Sequence, residues 1–78
     1  MYVGCLFWKD EPVNDYCGRT YVYHTDLPLK IGDKVMLPVR NESPKRGMVA
    51  QTDMPTPPFE CREVTEYYRE GEADGNAR

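Results

Sequence analysis

Residues 19–52 decide the fold, and they read RTYVYHTDLPLKIGDKVMLPVRNESPKRGMVAQT. Three runs in this stretch, 19–24, 34–40 and 46–52, contain many β-branched, aromatic or aliphatic residues, and the second places its valines and leucine at alternate positions. This composition and period are typical of strands that pack one face on a core. Clusters of Gly, Pro, Asn, Asp and Ser separate the runs, as turns require. The stretch predicts three strands, of which the last two form a hairpin.

Two residues constrain that hairpin. Pro38 has no amide hydrogen to donate to a ladder, so its strand is expected at an edge of the sheet or with a bulge at this position. Gly47 permits a bulge or a sharp bend in the following strand. The turn between the two strands is predicted over residues 41–45 (NESPK), and Gly32-Asp33 predicts another turn just before residue 34.

The flanking segments extend the β pattern. Residues 2–8 (YVGCLFW) are apolar on both alternating faces, which indicates a strand covered on two sides or a sheet that curls over itself. Residues 9–18 are polar and rich in turn formers, and a connection of this length is long for a hairpin and often functional. Residues 53–58 predict a proline-rich, extended spacer, whose end Phe59 is expected to anchor.

The segment 61–68 (CREVTEYY) suits either a helix or a strand. Val64 and Tyr68 have helical i, i+4 spacing, whereas the β-branched and aromatic content favours a strand. We expect a closing strand, because a short barrel has to pair its edges. The predicted architecture is all-β, a small curled antiparallel sheet or partly open five-stranded β-barrel, in a single domain over residues 1–69. Residues 70–78 are predicted to be a disordered acidic tail.

The charge balance bears on the class of partner. The chain of 78 residues carries ten Lys and Arg against thirteen Asp and Glu, a net charge of −3. Basic and acidic residues balance at seven each over residues 1–59, so the whole acidic excess lies in residues 60–78. General nucleic-acid binders are usually basic, because cations must replace the counterions condensed on phosphates. This chain lacks that basic excess.

Other features bear on location. No apolar run approaches the roughly 20 residues of a membrane span, and residues 1–8 lack the features of a signal peptide. Cys5, Cys17 and Cys61 are odd in number and have no short spacing, unlike the cysteines of a disulfide scaffold. Cys5 is expected to be a small core residue. Together these features predict a cytoplasmic protein, in a bacterial or an infected host cell.

The chain has no phosphate loop, dinucleotide motif, metalloprotease motif or nucleophile elbow. His24 with Asp26 could form an acid–base pair, and Cys17 would add a thiol, but nothing supplies oxyanion donors. The simpler interpretation is that His24 ends a strand and Asp26 forms a turn. A metal site of Cys5, Cys17, His24 and Cys61 would lack any short chelating spacing. We predict a non-enzymatic protein with no metal and no cofactor.

Aromatic and basic side chains are the candidate binding groups. The tyrosines could stack on bases or act as hot spots of a protein interface, although so small a core must also use Trp8 and one of the two tyrosines in the 19–24 run. The basic residues beside the predicted hairpin turn could grip an anion or keep a charged tip solvated. Tyr16, in its predicted loop, is the best exposed anchor. The predicted binding residues are Tyr16, Arg19, Tyr21, Tyr23, Arg40, Lys45 and Arg46.

Three segments carry a resemblance to a known family: Arg19-Thr-Tyr-Val-Tyr, the run 29–39 (LKIGDKVMLPV), and Arg46-Gly-Met-Val-Ala. Over residues 19–52 the chain resembles the N-terminal DNA 3′-end-binding domain of the primosomal replication-restart helicase. It is also similar to short uncharacterised proteins of tailed phages and prophages. The resemblance implies a curled β-sheet module that cradles a nucleic-acid end near the tyrosines of the first segment.

The chain departs from that family at two points. Val22 stands where the family has an acidic residue associated with the terminal nucleotide, and Val39-Arg40 stands where the family has a glycine after its proline. Because fold transfers between relatives more safely than function, these departures bear on the ligand and not on the architecture.

Two functions are predicted. The first is a non-enzymatic accessory module of phage or prophage type that binds a host protein complex, in the role of an inhibitor of nucleic-acid-processing or defence machinery. Small size, an acidic end and the absence of catalytic motifs motivate it. The alternative is a module that binds the 3′ end of single-stranded DNA or RNA. The partner predicted first is therefore a protein, with nucleic acid as the alternative and no membrane association.

Overall fold

A computed structural model describes residues 1–68 of the chain. Within them lie five strands, Tyr2–Lys9 (β1), Asp15–Thr25 (β2), Lys34–Val39 (β3), Glu42–Met54 (β4) and Glu63–Val64 (β5). The same residues contain no helix, and hence none long and apolar enough to span a bilayer. The all-β prediction is confirmed. The predicted tail, 70–78, lies outside the described residues, as does the last residue of the predicted domain.

The strands form one curled sheet in the order β3-β4-β1-β2-β5. All neighbours are antiparallel except β5, which runs parallel to β2. The sheet is therefore mixed and not wholly antiparallel, because the long connection over residues 55–62 lets the chain return in the direction of β2. Beyond β5, the Met36 amide donates to the Glu66 carbonyl at 3.0 Å and the Tyr68 amide to the Lys34 carbonyl at 3.0 Å. These bonds draw the two sheet edges together without closing the barrel.

The inner face of the curl holds the core. Alternate residues of β1, β3 and β4 point inward, as the strand period requires. Cys5 is fully buried, and this burial raises the pKa of its thiol to about 12, so it serves as the predicted core residue. The buried hydrophobic residues are Val3, Cys5, Tyr23, Leu29, Val35, Leu37, Val49 and Val64.

The connection predicted over residues 9–18 is much shorter in the structure. The Val13 amide donates to the Asp10 carbonyl at 3.0 Å, and Asn14 takes a positive φ of 51°, so a tight turn reverses the chain and β2 starts at Asp15. Residues 15–17 extend the strand because they pair with residues 7–9 of β1. The register shifts between Cys5 and Phe7, and β2 accommodates the shift around Gly18.

The β3–β4 hairpin agrees with the expectation for Pro38. β3 is an edge strand of the sheet, and its register with β4 shifts between Leu37 and Val39. The turn is shorter than predicted, since β4 already starts at Glu42. Gly47, in contrast, lies in regular register with Val35 and shows no bulge. A side chain there would overlap Leu37 and lie 2.8 Å from the Leu6 carbonyl oxygen, so the glycine permits close packing.

The end of the chain described here is tied to β2 by one buried hydroxyl. Thr25 is fully buried; its Oγ1 donates to the Val64 carbonyl at 2.9 Å and accepts from the Leu27 amide at 3.0 Å. Phe59, expected to anchor the preceding spacer, is instead 60% exposed. The anchor is therefore the polar contact at Thr25 together with the buried Val64 side chain.

Replacing Thr25 with Val keeps the shape and removes both hydrogen bonds. Because the Val64 carbonyl and the Leu27 amide then lose their partner, we expect the free energy of unfolding to fall by about 2–3 kcal/mol. Urea unfolding followed by Trp8 fluorescence measures it. The matched substitution Thr20→Val, on the exposed part of the same strand, should change it by less than about 0.5 kcal/mol. Equal stability of the two variants would contradict this role of Thr25.

Candidate binding clefts at the open side of the sheet

The structure separates the seven predicted binding residues into groups. Tyr23 belongs to the core, Arg40 lies in the exposed β3–β4 turn, and Tyr16 and Arg46 bond to each other. The remaining three come together along one cleft; they are Arg19, Tyr21 and Lys45. The prediction that one strand tyrosine is structural is therefore met by Tyr23.

Tyr21 and Tyr23 share a face of β2 but lie in different surroundings. Tyr23 is 7% exposed, its hydroxyl donates to the Pro38 carbonyl at 3.2 Å, and burial raises its pKa. Tyr21 is 43% exposed and packs edge to face on Phe7, with ring centroids 5.3 Å apart. Tyr21 is thus the tyrosine of this pair that a ligand can reach.

The first cleft, here called the basic cleft, has a volume of about 480 Å³. Its apolar and aromatic lining comes from Phe7, Trp8, Tyr21 and Val39, on three different strands. Its cationic residues are Lys9, Arg19 and Lys45, and no carboxylate among residues 1–68 lines it. The arrangement suits a group that is anionic at one end and apolar at the other.

The three cations of the basic cleft differ in their partners. Lys45 pairs with Glu42, three residues earlier in β4, at 3.2 Å, and both side chains are 56% exposed, so this ion pair contributes little to stability. Lys9 and Arg19 have no carboxylate within 4.0 Å among the described residues. The Lys9 side chain lies over Gly18, with its Cε 3.5 Å from where a side chain at Gly18 would begin. Two cations are therefore available to an incoming anion.

A second cleft, here called the edge groove, runs along β2. It has a volume of about 330 Å³ and lies between residues 19–23 of β2 and residues 59–62. Arg19 and Tyr21 line both clefts, so the two clefts adjoin at these residues. Phe59, exposed and opposite β2, adds an aromatic side chain to the far wall.

The backbone of β2 also faces the edge groove. The Thr25 amide donates to the Met1 carbonyl and the Met1 ammonium group to the Thr25 carbonyl, so Tyr23 and Tyr21, two and four residues earlier, also direct their polar groups at β1. The backbone amide of His24 points the other way and donates to the Arg62 carbonyl at 3.0 Å. By the same alternation Val22 directs its amide and carbonyl into the edge groove. Among residues 1–68, strand pairing on this side is confined to His24 and Thr25.

Tyr16 and Arg46 form a different cluster. Tyr16 lies within β2 and not in a loop, and it packs edge to face on Trp8, its direct partner in β1, at 5.0 Å. The Arg46 guanidinium carbon lies 4.3 Å from the Trp8 ring centre and 4.6 Å from that of Tyr68, and its Nε donates to the Tyr16 hydroxyl at 2.8 Å. Through these noncovalent contacts Arg46, on β4, holds together β1, β2 and the end of the described chain.

Removing the contacts of Arg46 should lower the stability of the fold. For Arg46→Gln we expect the free energy of unfolding to fall by about 1–2 kcal/mol, because the contacts with Trp8 and Tyr68 are lost. Arg46→Lys keeps the charge and should recover part of the loss. Arg40→Gln, in the exposed turn, is the matched control and should change stability by less than about 0.5 kcal/mol. Thermal unfolding of the three variants tests this prediction. Equal changes of stability on substituting Arg46 and Arg40 would rule out the stabilising role of Arg46.

The titratable residues considered for chemistry fall in separate places. Cys17 pairs opposite Phe7 and His24 opposite Tyr2, so roughly 16 Å of strand separates them and no Cys-His pair forms. His24 instead packs on Tyr2 at 5.2 Å and lies 4.0 Å from Glu63. With Asp26, these two place ligand atoms within 4.8 Å of one another, which is the one set among residues 1–68 close enough to hold a cation.

Several residues of the clefts escaped the sequence analysis. Lys9, Phe7 and Val39 joined the basic cleft because distant strands meet there, and no local pattern marks such a meeting. Phe59, expected to anchor the spacer, is isolated among prolines and acidic residues, which is itself a signal of exposure. The β2 edge could not be located without knowing where β5 pairs.

Comparison with known proteins found no match among family models, curated proteins or solved structures.

Proposed function

We propose that this chain is a non-enzymatic protein-binding module that takes up an extended segment of a partner along β2. The observation that carries the proposal is the unpaired side of β2, where Val22 directs its amide and carbonyl into the edge groove and strand pairing within residues 1–68 is confined to His24 and Thr25. Addition of a strand to such an edge supplies backbone hydrogen bonds, and neighbouring pockets select the side chains.

The two aromatic side chains at the edge groove support the same proposal. Tyr21 and Phe59 are 43% and 60% exposed and lie on opposite walls. Exposed aromatic side chains flanking an open strand edge are suited to gripping alternate side chains of a bound segment. The predicted phage or prophage origin, and the role as an inhibitor of a host complex, stay predictions within this proposal.

The first test is a selection of random peptides of about eight residues, long enough to span the open part of β2 when extended. Selected peptides should bind the purified protein and perturb the amide signals of residues 19–23 in NMR spectra. Val22→Pro removes the amide that faces the edge groove and leaves the bonds to β1 in place, so we expect at least tenfold weaker binding. A Val22→Pro protein that is folded by circular dichroism and binds with unchanged affinity would refute strand addition.

A second pair of variants keeps the test independent of proline. Phe59→Ser should weaken peptide binding about tenfold, because the apolar contact at the groove wall is lost. Ile31→Ser removes another exposed apolar side chain, 67% accessible and outside both clefts, and should leave affinity unchanged. Equal effects of the two substitutions would place the binding surface elsewhere.

Single-stranded nucleic acid is a second candidate, because Arg19, Tyr21 and Lys45 line one cleft and combine cations with an exposed aromatic ring. A labelled oligonucleotide with a free 3′ end should then bind at about 50 mM salt, and more weakly as salt rises. The double substitution Arg19→Gln with Lys45→Gln should weaken binding, whereas Lys30→Gln, outside both clefts, should not. Fluorescence anisotropy decides, and no binding at low salt eliminates this candidate.

A further inference from the structure

The edge groove and the basic cleft adjoin each other, since Arg19 and Tyr21 line both. A segment that pairs with β2 beside Val22 therefore extends past Tyr21 toward Lys9 and Arg19. The chemistry of the basic cleft then selects one side chain, or the terminal carboxylate, of that segment.

The charges of the basic cleft specify an anion. Lys9 and Arg19 have no carboxylate partner within 4.0 Å among the described residues, and they stand beside the apolar surface of Phe7 and Tyr21. An ion pair is stronger beside apolar surface than in open water. The planar fork of an arginine also matches the two oxygens of a carboxylate.

The surroundings favour a single anionic group over a long polyanion. Residues 1–68 carry eight basic and ten acidic residues. Asp10 and Glu11 follow Lys9 in the chain, and Asp15 pairs with Lys9 in the β1–β2 ladder. The Asp15 carboxylate accepts a hydrogen bond from the Tyr16 amide at 2.7 Å. These acids repel a phosphodiester chain that runs on beyond the cleft more strongly than a single carboxylate, because each further phosphate adds a negative charge.

We propose that the segment bound along β2 carries a carboxylate seated between Lys9 and Arg19, next to an apolar side chain packed on Phe7 and Tyr21. This proposal rests on the proposed function. It specifies the partner as a protein whose exposed, extended segment combines an acidic and an apolar residue, or ends in an apolar residue with its free carboxylate.

The test uses peptides selected on the full chain. Peptides that bind should be enriched in Asp or Glu, or should need a free C-terminus, and neutralising that one group by Asn, Gln or amidation should weaken binding about tenfold. Lys9→Gln and Arg19→Gln should each reduce affinity several-fold, while the matched Lys30→Gln leaves it unchanged. Raising the salt concentration should remove most of the difference between the acidic and the neutralised peptide.

Two cysteines distinguish failure of this inference from failure of the proposed function. Cys17 lines the basic cleft and Cys61 the edge groove, so a seated peptide should slow alkylation of both thiols. A peptide that protects Cys61 alone, depends on Val22 and shows no preference for acidic residues would overturn the seated carboxylate and leave strand addition intact. Selection of no peptide, or peptides insensitive to Val22→Pro, would overturn both. Binding of single-stranded DNA that weakens with Lys9→Gln and Arg19→Gln would assign the cleft to nucleic acid.

Discussion

The contact at Thr25 is the constraint on which the open side of the sheet depends. Its buried hydroxyl holds the Val64 carbonyl and the Leu27 amide, and so brings the end of the described chain to the last two residues of β2. From there the chain crosses to β3 and draws the two sheet edges together. Because that crossing happens at one end of β2, the other end of a long strand is left with β1 as its sole strand partner among residues 1–68. The candidate site lies on β2 because residues 61–68 pair with only one end of that strand.

The strands were predictable wherever local composition agrees with burial. The β3–β4 hairpin follows from alternating aliphatic residues, and Pro38 predicts that β3 lies at an edge, as observed, because an imide nitrogen cannot join an interior ladder. The early start of β2 was missed because residues 15–17 become a strand only by pairing with β1. The parallel direction of β5 was missed for a similar reason, since a proline-rich spacer fixes local backbone angles but not the direction in which the chain returns.

The sequence predicted which residue types form the candidate site, but not which of those residues lie in the clefts and which stabilise the fold. Tyr21 and Tyr23 have the same side chain, strand and face, yet one reaches solvent and the other bonds to the Pro38 carbonyl in the core. From the sequence, Arg46 and Arg19 were equally plausible anion-binding residues. In the structure Arg46 stacks on Trp8 and so stabilises the fold. Aromatic and arginine side chains serve cores and interfaces by the same forces, so distance from neighbouring strands decides between the two roles.

An open strand edge exposes a protein to pairing with its own copies, and the residues around β2 oppose this outcome. Lys9 and Arg19 place positive charge at this end of β2, and charged side chains at an exposed edge are one means by which sheets avoid pairing with their own copies. The register shift near Gly18 further interrupts a flat ladder. In the proposed binding mode, the same two cations attract a segment with a carboxylate. In that mode, one pair of residues protects the edge and also selects its partner.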